Sequence, residues 1–194
     1  VHQGQQQLPQ PLGVAAPRPR AVIVGEPTDL DVADAHKSVV TFRTIVHGFE
    51  AHSSKPFLGA NAIPAAAELV AELTRLGDEM IARGDPSGRY DPPFTTVHVG
   101  QIQGGTARNI LARLCWFNWE FRSVPGLEPR EIPERFARHV QAVALPLLNR
   151  YGEFGRIETE TTADVPGLAP EPGSPAESLA FRLAGRNSTI TVPY

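Results

Sequence analysis

A strand, a His-Ser-Ser loop and a long amphipathic helix follow one another in this chain, and this unit limits the possible folds more than any other stretch. The run from Val39 to Val46 is rich in β-branched residues, as strands are. From Ala62 to Arg83 apolar residues recur at helical spacing, and Asn61 stands at the N-cap position. His52 therefore lies in a loop between two rigid elements.

The ring of His52 can serve either of two purposes. Held between a strand and a helix, it can present an N–H to a developing oxyanion or to a substrate carboxylate. It can also hydrogen-bond only within its own loop, which a short motif does not exclude. The residues of this stretch leave both interpretations open.

The remaining patterns complete a β-α-β-β-α-β order. Thr95 to Ile102 and Leu111 to Arg122 are typical of two strands joined by a wide loop. Pro129 to Tyr151 is amphipathic, with Pro146 predicted to kink or end the helix, and Arg156 to Thr162 has the polar alternation of an edge strand. We therefore predict an α+β fold, a ferredoxin-like domain with both helices on one face of an antiparallel sheet.

The strand from Leu111 to Arg122 indicates which face of that sheet is core. Alternate residues place Cys115, Phe117, Trp119 and Phe121 on one side. Because Cys115 is the single cysteine, the chain has no internal disulfide and no multi-cysteine metal site. We expect this thiol to be buried and inert.

Further segments lie on either side of this domain, and the length of 194 residues fits either one ordinary domain or one small domain plus pieces of another. The apolar run Ala21 to Gly25 is predicted to be a buried strand that places Glu26 at its carboxyl end, where α/β sheets bind ligands. Glu26 can be a metal ligand, a base or a cap for the next turn. Farther on, Ser174 begins a short capped helix, and Thr189 to Val192 is a β-branched strand.

Charge and composition exclude several classes of protein. A net charge of -3 and an isoelectric point near 6.1 give no electrostatic footprint for nucleic acid or an anionic membrane. The aromatic strand also lacks an RNA-binding signature. With no long apolar stretch and no signal-peptide pattern, we expect a cytoplasmic protein.

Motifs that would complete a catalytic centre are absent from the sequence. None of the six histidines is followed two residues later by Asp, and there is no Glu-Glu pair, G-x-S-x-G elbow or P-loop. From its residues alone, the chain is interpreted as a binding or interaction unit.

Several short motifs nevertheless occur in one order. They are Gly25-Glu26-Pro27-Thr28, His36-Lys37, Ala51-His52-Ser53-Ser54, Pro56, Gly59, Asn61-Ala62-Ile63, Gly104-Gly105, Asn109 and Arg122. In order and spacing they resemble the dinuclear-zinc aminoacylase and carboxypeptidase family, over about residues 21 to 194. Within that family the likeness is nearest to acetylornithine deacetylases, and succinyl-diaminopimelate desuccinylases and other aminoacylases or carboxypeptidases are the alternatives.

The resemblance implies a role for each matching residue. Glu26 resembles a zinc ligand at the end of a catalytic-domain strand. His52 resembles the histidine of the lid, or dimerisation, domain that reaches into the partner subunit and stabilises the tetrahedral oxyanion. Asn109 and Arg122 resemble the residues that bind the substrate's α-carboxylate. The implied cofactor is zinc, two per site, and the implied partners are an N-acyl amino acid and a second copy in a homodimer.

The remaining ligands and the general base of that family have no counterparts in this sequence. We therefore expect a truncated, frameshifted or partial product with four segments: a disordered leader at 1–20, a catalytic-domain remnant at 21–35, the lid domain at 36–163 and a second remnant at 164–194. Such a chain is predicted to be inactive alone and to bind zinc weakly. The alternative function is a non-catalytic dimerisation module.

Overall fold

The computed structural model of the chain describes residues 22–25, 27–128 and 130–192. The strands are β1 (Val32–His36), β2 (Val39–His47), β3 (Thr96–Gly104), β4 (Leu114–Arg122), β5 (Arg156–Val165) and β6 (Thr189–Val192). The helices are α1 (Ala62–Arg83), α2 (Glu131–His139), α3 (Leu145–Leu148) and α4 (Pro175–Ala184), with a 3-10 turn at Pro56–Leu58 and a π-helical segment at Val140–Ala144.

Four of the strands form one antiparallel sheet in the order β3-β4-β2-β5. The long helix α1 packs mainly on β3, and the α2–α3 segment packs beside it. This strand order, with both helices on one face, is the predicted ferredoxin-like arrangement. The α+β fold class is confirmed.

The core of this domain lies between the sheet and the helices. Phe42 of β2 stacks on Trp119 of β4 with ring centroids 4.1 Å apart, and Phe136 of α2 packs against the same indole at 4.8 Å. The indole N–H donates to the buried hydroxyl of Thr44 over 3.0 Å, so the polar atom of Trp119 is satisfied. The predicted apolar face of β4 is buried, including Cys115, and burial raises the pKa of that thiol.

Helix α1 begins and ends at the residues that the sequence predicted. The side-chain oxygen of Asn61 accepts from the backbone N–H of Ile63 over 3.2 Å, which is a local N-cap. At the other end Gly84 adopts a φ of +66°, a conformation that glycine reaches without a steric penalty.

The second helical segment is continuous but irregular. It runs from Glu131 to Leu148 and widens into a π-helical turn at Val140–Ala144, just before Pro146. Proline lacks the N–H that a regular helix needs at this depth, and its ring disturbs the preceding turn. The predicted disturbance at Pro146 is therefore a local widening of the helix.

The prediction of a buried strand at Ala21 to Gly25 is wrong for the part that the structure describes. Residues 22–25 form no strand, and Val22, Ile23 and Val24 are each more than half exposed. Ala21 and Glu26 lie outside the described residues. The strand beside the domain is instead β1, which pairs in parallel with β6, because a short apolar run does not specify its own pairing partner.

Candidate functional site

The loop that follows β2 is closed at its base by backbone hydrogen bonds. Phe49 and Ala60 exchange two N–H···O bonds of 2.8 and 3.0 Å, and the N–H of Gly48 donates to Arg113 over 2.9 Å. A Cβ atom on Gly48 would lie 2.2 Å from the carbonyl oxygen of Ala60, so only glycine fits this position without moving the backbone. The backbone conformation at the base of the loop is therefore fixed by these hydrogen bonds and by the need for glycine at position 48.

His52 lies in the exposed part of this loop. Its Nδ1 atom is 2.8 Å from the hydroxyl of Ser54 and accepts the backbone N–H of Ser54 over 3.2 Å. Within the described part of the chain, Nε2 has no hydrogen-bond partner. His52 can therefore keep its bond to Ser54 through Nδ1 and still use Nε2 for another purpose, because the two interactions involve different atoms.

Asn109 lies directly beside the His52 loop. Its backbone oxygen accepts the N–H of Ser53 over 2.9 Å, and the next residue but one, Leu111, donates to Ala51 over 2.9 Å. The side chains of His52 and Asn109 are both exposed. The structure therefore brings together two of the residues singled out by the resemblance, although they are far apart in sequence.

Arg122 lies at the opposite end of the sheet. Leu114, the first residue of β4, pairs with His47 beside the His52 loop. Arg122 is the last residue of β4. At about 3.3 Å per residue, β4 separates the two ends by roughly 26 Å. The guanidinium of Arg122 is half-buried and donates to Glu120 over 3.0 Å. Within one chain, Arg122 does not join His52 and Asn109.

A buried lysine marks the end of the sheet where Arg122 lies. The ammonium of Lys37 donates to the backbone oxygens of Pro92 and Phe94 over 2.6 and 2.8 Å, and the residue is 1% exposed. Burial lowers the pKa of this group, and the positive charge of Arg122 acts in the same direction. Lys37 thereby fixes the loop before β3. The sequence did not predict this contact, because both acceptors are more than fifty residues away in the chain.

A cavity of about 220 Å³ lies between the His52 loop and the end of α3. Its lining includes Asn61, Leu111, Leu148 and Tyr151. Sequence reasoning missed it, because these residues come from three separate stretches that only packing brings together. Most of the lining is apolar, and Asn61, Arg150 and Tyr151 supply its polar groups.

The residues that the structure describes do not fit a dinuclear zinc centre. Such a centre needs several histidine and carboxylate ligands converging on one point. In residues 22–25, 27–128 and 130–192 no group of three His, Cys, Asp or Glu side chains could hold a metal ion. The predicted ligand Glu26 lies outside the described residues. None of the described helices combines the length and apolar character that crossing a membrane requires.

The fold that carries these residues is an antiparallel sheet covered by helices on one face, with the His52 loop at one end. The family model with the description peptidase dimerisation domain matches residues 34–147, more than half of the chain. The chain belongs to this family, the dimerisation domain of M20 peptidases.

Two curated relatives carry the name acetylornithine deacetylase. The one from Myxococcus xanthus is 40% identical over 117 residues, which are 60% of this chain and 30% of that protein. The one from Pasteurella multocida (strain Pm70) is 32% identical over 178 residues, 91% of this chain and 44% of that protein. The chain thus spans less than half the length of either relative.

Among solved structures, the chain is similar to an aminobenzoyl-glutamate utilization protein from Klebsiella pneumoniae. The TM-score is 0.57 at 22% sequence identity, and the match covers 77% of this chain and 35% of that one. At this identity the likeness shows the fold alone.

Proposed function

We propose that this chain contributes the lid part of a hydrolase that removes the acetyl group from an N-acyl amino acid, with N2-acetylornithine as the substrate. The observation that carries the proposal is the exposed His52 beside Asn109 at the end of a rigid strand. The names of the two curated relatives support this choice of substrate. In keeping with its single buried cysteine, we place the protein in the cytoplasm.

His52 would act on the reaction through its free ring nitrogen. Attack on the acetyl carbonyl turns the carbonyl oxygen into an oxyanion, and an imidazole N–H can donate a hydrogen bond to it. The amide of Asn109 and the guanidinium of Arg122 would hold the substrate carboxylate, for which the paired donors of arginine are well suited. All three groups bind and orient the substrate. Only His52 would donate a hydrogen bond to the oxygen that becomes negatively charged during the reaction.

The separation of the three residues along the sheet supports a site built from two copies of the chain. About 26 Å of strand lies between the His52 end and Arg122, much more than an N-acetyl amino acid spans. One copy would supply His52 and Asn109, and the other would supply Arg122. A homodimer through the lid domain at 36–163 is therefore part of the proposal.

The metal chemistry of such a hydrolase belongs to residues outside the described part of the chain. In the proposed enzyme Glu26 is one zinc ligand, and the segments 21–35 and 164–194 belong to the catalytic domain. Since the described residues hold no group of three potential ligands, a non-catalytic dimerisation module is the second candidate function. In either case the chain by itself is proposed to be inactive.

A chimera tests the first function. Residues 36–163 of this chain would replace the corresponding segment of the Myxococcus xanthus relative, and hydrolysis of N2-acetylornithine would be measured. We expect a working chimera in which His52→Ala lowers kcat by about 10²- to 10³-fold, the usual effect of losing one oxyanion donor. His47→Gln is the matched control, because the ring of His47 bonds Glu158 on the sheet and not the loop.

The two functions predict different outcomes of this experiment. A folded dimeric chimera without turnover would favour the dimerisation module. Turnover that survives His52→Ala would contradict the role given to His52.

A further inference from the structure

Two groups of Ser54 meet a single ring nitrogen of His52. The backbone N–H of Ser54 donates to Nδ1 over 3.2 Å, and the hydroxyl of the same residue is 2.8 Å from Nδ1. A backbone N–H can only donate, so Nδ1 must present its lone pair to it. In the opposite ring orientation a carbon atom would face this N–H and leave it without a partner.

This contact decides which tautomer the neutral imidazole adopts. A neutral ring carries one proton, and a lone pair on Nδ1 requires that proton to be on Nε2. Nε2–H is then a donor on an exposed side chain, without a partner in the described part of the chain. The opposite tautomer would direct Nδ1–H against the N–H of Ser54.

The backbone around Ser54 is held independently of its side chain. The N–H of Lys55 donates to the backbone oxygen of His52 over 2.8 Å, which closes a turn around Ser54. The N–H of Ser53 donates to Asn109 over 2.9 Å and joins that turn to the neighbouring segment. The Ser54 N–H is therefore held in place before any substrate arrives.

We infer that Ser54 is a positioning residue that keeps His52 in its Nε2–H tautomer, ready to donate a hydrogen bond to an anionic oxygen. The backbone N–H of Ser54 fixes Nδ1 as the ring nitrogen that carries the lone pair. The Ser54 hydroxyl donates a second hydrogen bond to that lone pair. The importance of this positioning for catalysis rests on the proposed function. The tautomer of His52 does not depend on that function and can be measured on this chain by itself.

The tautomer can be measured without substrate or metal. Long-range ¹H–¹⁵N correlation spectra of the ¹⁵N-labelled chain distinguish the two neutral tautomers, and His52→Ala assigns the signals. At about pH 8.5, two units above the ordinary imidazole pKa, we expect the Nε2–H form for His52. In Ser54→Ala the ratio of Nε2–H to Nδ1–H should fall about fivefold, which corresponds to the loss of one ordinary hydrogen bond.

Two further variants separate positioning from a general effect on the loop. Ser54→Thr keeps the hydroxyl and should restore the wild-type ratio. Ser53→Ala changes the neighbouring hydroxyl but keeps the backbone bond to Asn109, and it should leave the ratio unchanged. An Nδ1–H signal as the main form of wild-type His52 would overturn the inference, as would a Ser54→Ala ratio equal to that of the wild type.

A second readout uses the chimera described above. There Ser54→Ala should lower kcat with KM unchanged, and Ser54→Thr should recover it, because the tautomer affects the transition state more than substrate binding. If the spectra show the Nε2–H form while the chimera is inactive, the proposed function fails and the positioning role of Ser54 stands. If the chimera is active but the spectra show Nδ1–H, only the role of Ser54 fails.

Discussion

At the scale of single residues, Asn61 performs two tasks with one oxygen atom. Its side-chain oxygen accepts the N–H of Ile63 at the start of α1 and the N–H of Ala112 in the segment before β4, each over 3.2 Å. The first bond caps the helix, and the second joins the helix to the segment that carries Asn109. Sequence reasoning predicts the first bond, because the cap is local. The second is made between residues about fifty positions apart.

We predict that Asn61→Ala lowers the free energy of unfolding by about 1–2 kcal/mol, because it removes a helix cap and leaves a second N–H without its acceptor. Urea unfolding followed by circular dichroism measures this change. Asn61→Asp keeps an oxygen in the same place and should retain most of the stability. Equal losses in the two variants would contradict the acceptor role of this oxygen.

At the scale of elements, α1 and α2 are joined by ion pairs across their exposed sides. The guanidinium of Arg83 donates to both carboxylate oxygens of Glu131, over 2.8 and 2.7 Å, and Arg135 of α2 reaches Glu79 of α1 at 2.6 Å. The hydrogen bond from Arg83, followed by the positive charges of Arg83 and Arg135, lowers the pKa of Glu131. Arg135 lowers the pKa of Glu79 in the same way.

These shifts predict a loss of stability in acid. A carboxylate with a lowered pKa in the folded state stabilises the fold above its ordinary value of 4.5, and the stabilisation disappears as the pH falls below that value. We expect the free energy of unfolding to fall between about pH 5 and pH 3, and to fall less in Glu131→Gln. At neutral pH that variant should cost under about 1 kcal/mol, because the pair is partly exposed.

Unfolding by urea across this pH range measures both effects. Glu134→Gln is a suitable control, because Glu134 lies on the same helix, is exposed, and is 4.0 Å from its nearest arginine partner, Arg138. Its acid profile should match that of the wild type. A Glu131→Gln profile parallel to the wild-type curve would show that this pair does not contribute to the acid response.

At the scale of the whole molecule, the three predicted site residues that the structure describes lie at two ends of one sheet. His52 and Asn109 are at the end where β2 stops, and Arg122 is at the end where the chain passes from β1 through Lys37 into β2. The proposed site that uses all three residues would therefore combine one end of one copy with the other end of a second copy.

We predict that two inactive variants complement each other when they are mixed. In the chimera, His52→Ala and Arg122→Ala would each abolish most turnover. Random reassortment of equal amounts of the two should restore about a quarter of the wild-type activity, since half the dimers are mixed and each mixed dimer has one intact site out of two. Recovery is measured as hydrolysis of N2-acetylornithine after dissociation and reassociation of the subunits.

Each variant taken alone through the same cycle is the control for this mixture. The absence of any recovery, with dimers still formed, would contradict a site shared between two copies. Arg122 would then act within its own subunit or not at all.

Local pattern accounts for the parts of the fold that were predicted from the sequence. The bounds of α1, the cap at Asn61, the buried face of β4 and the capped helix that begins after Ser174 all depend on residues within a few positions of one another. The order of these elements then leaves few possible topologies, and the ferredoxin-like sheet is one of them. The resemblance, also read from sequence, selected His52 and Asn109.

The remaining features depend on contacts between distant parts of the chain. Only the tertiary structure showed that residues 22–25 form no strand while β1 pairs with β6, because strand pairing is decided by the available neighbours. It also placed Arg122 away from His52, since the length and direction of β4 set that separation. The sequence by itself determined the elements and their order, because propensity and periodicity are local. The tertiary structure decided which residues meet, because that depends on register and packing across the whole chain.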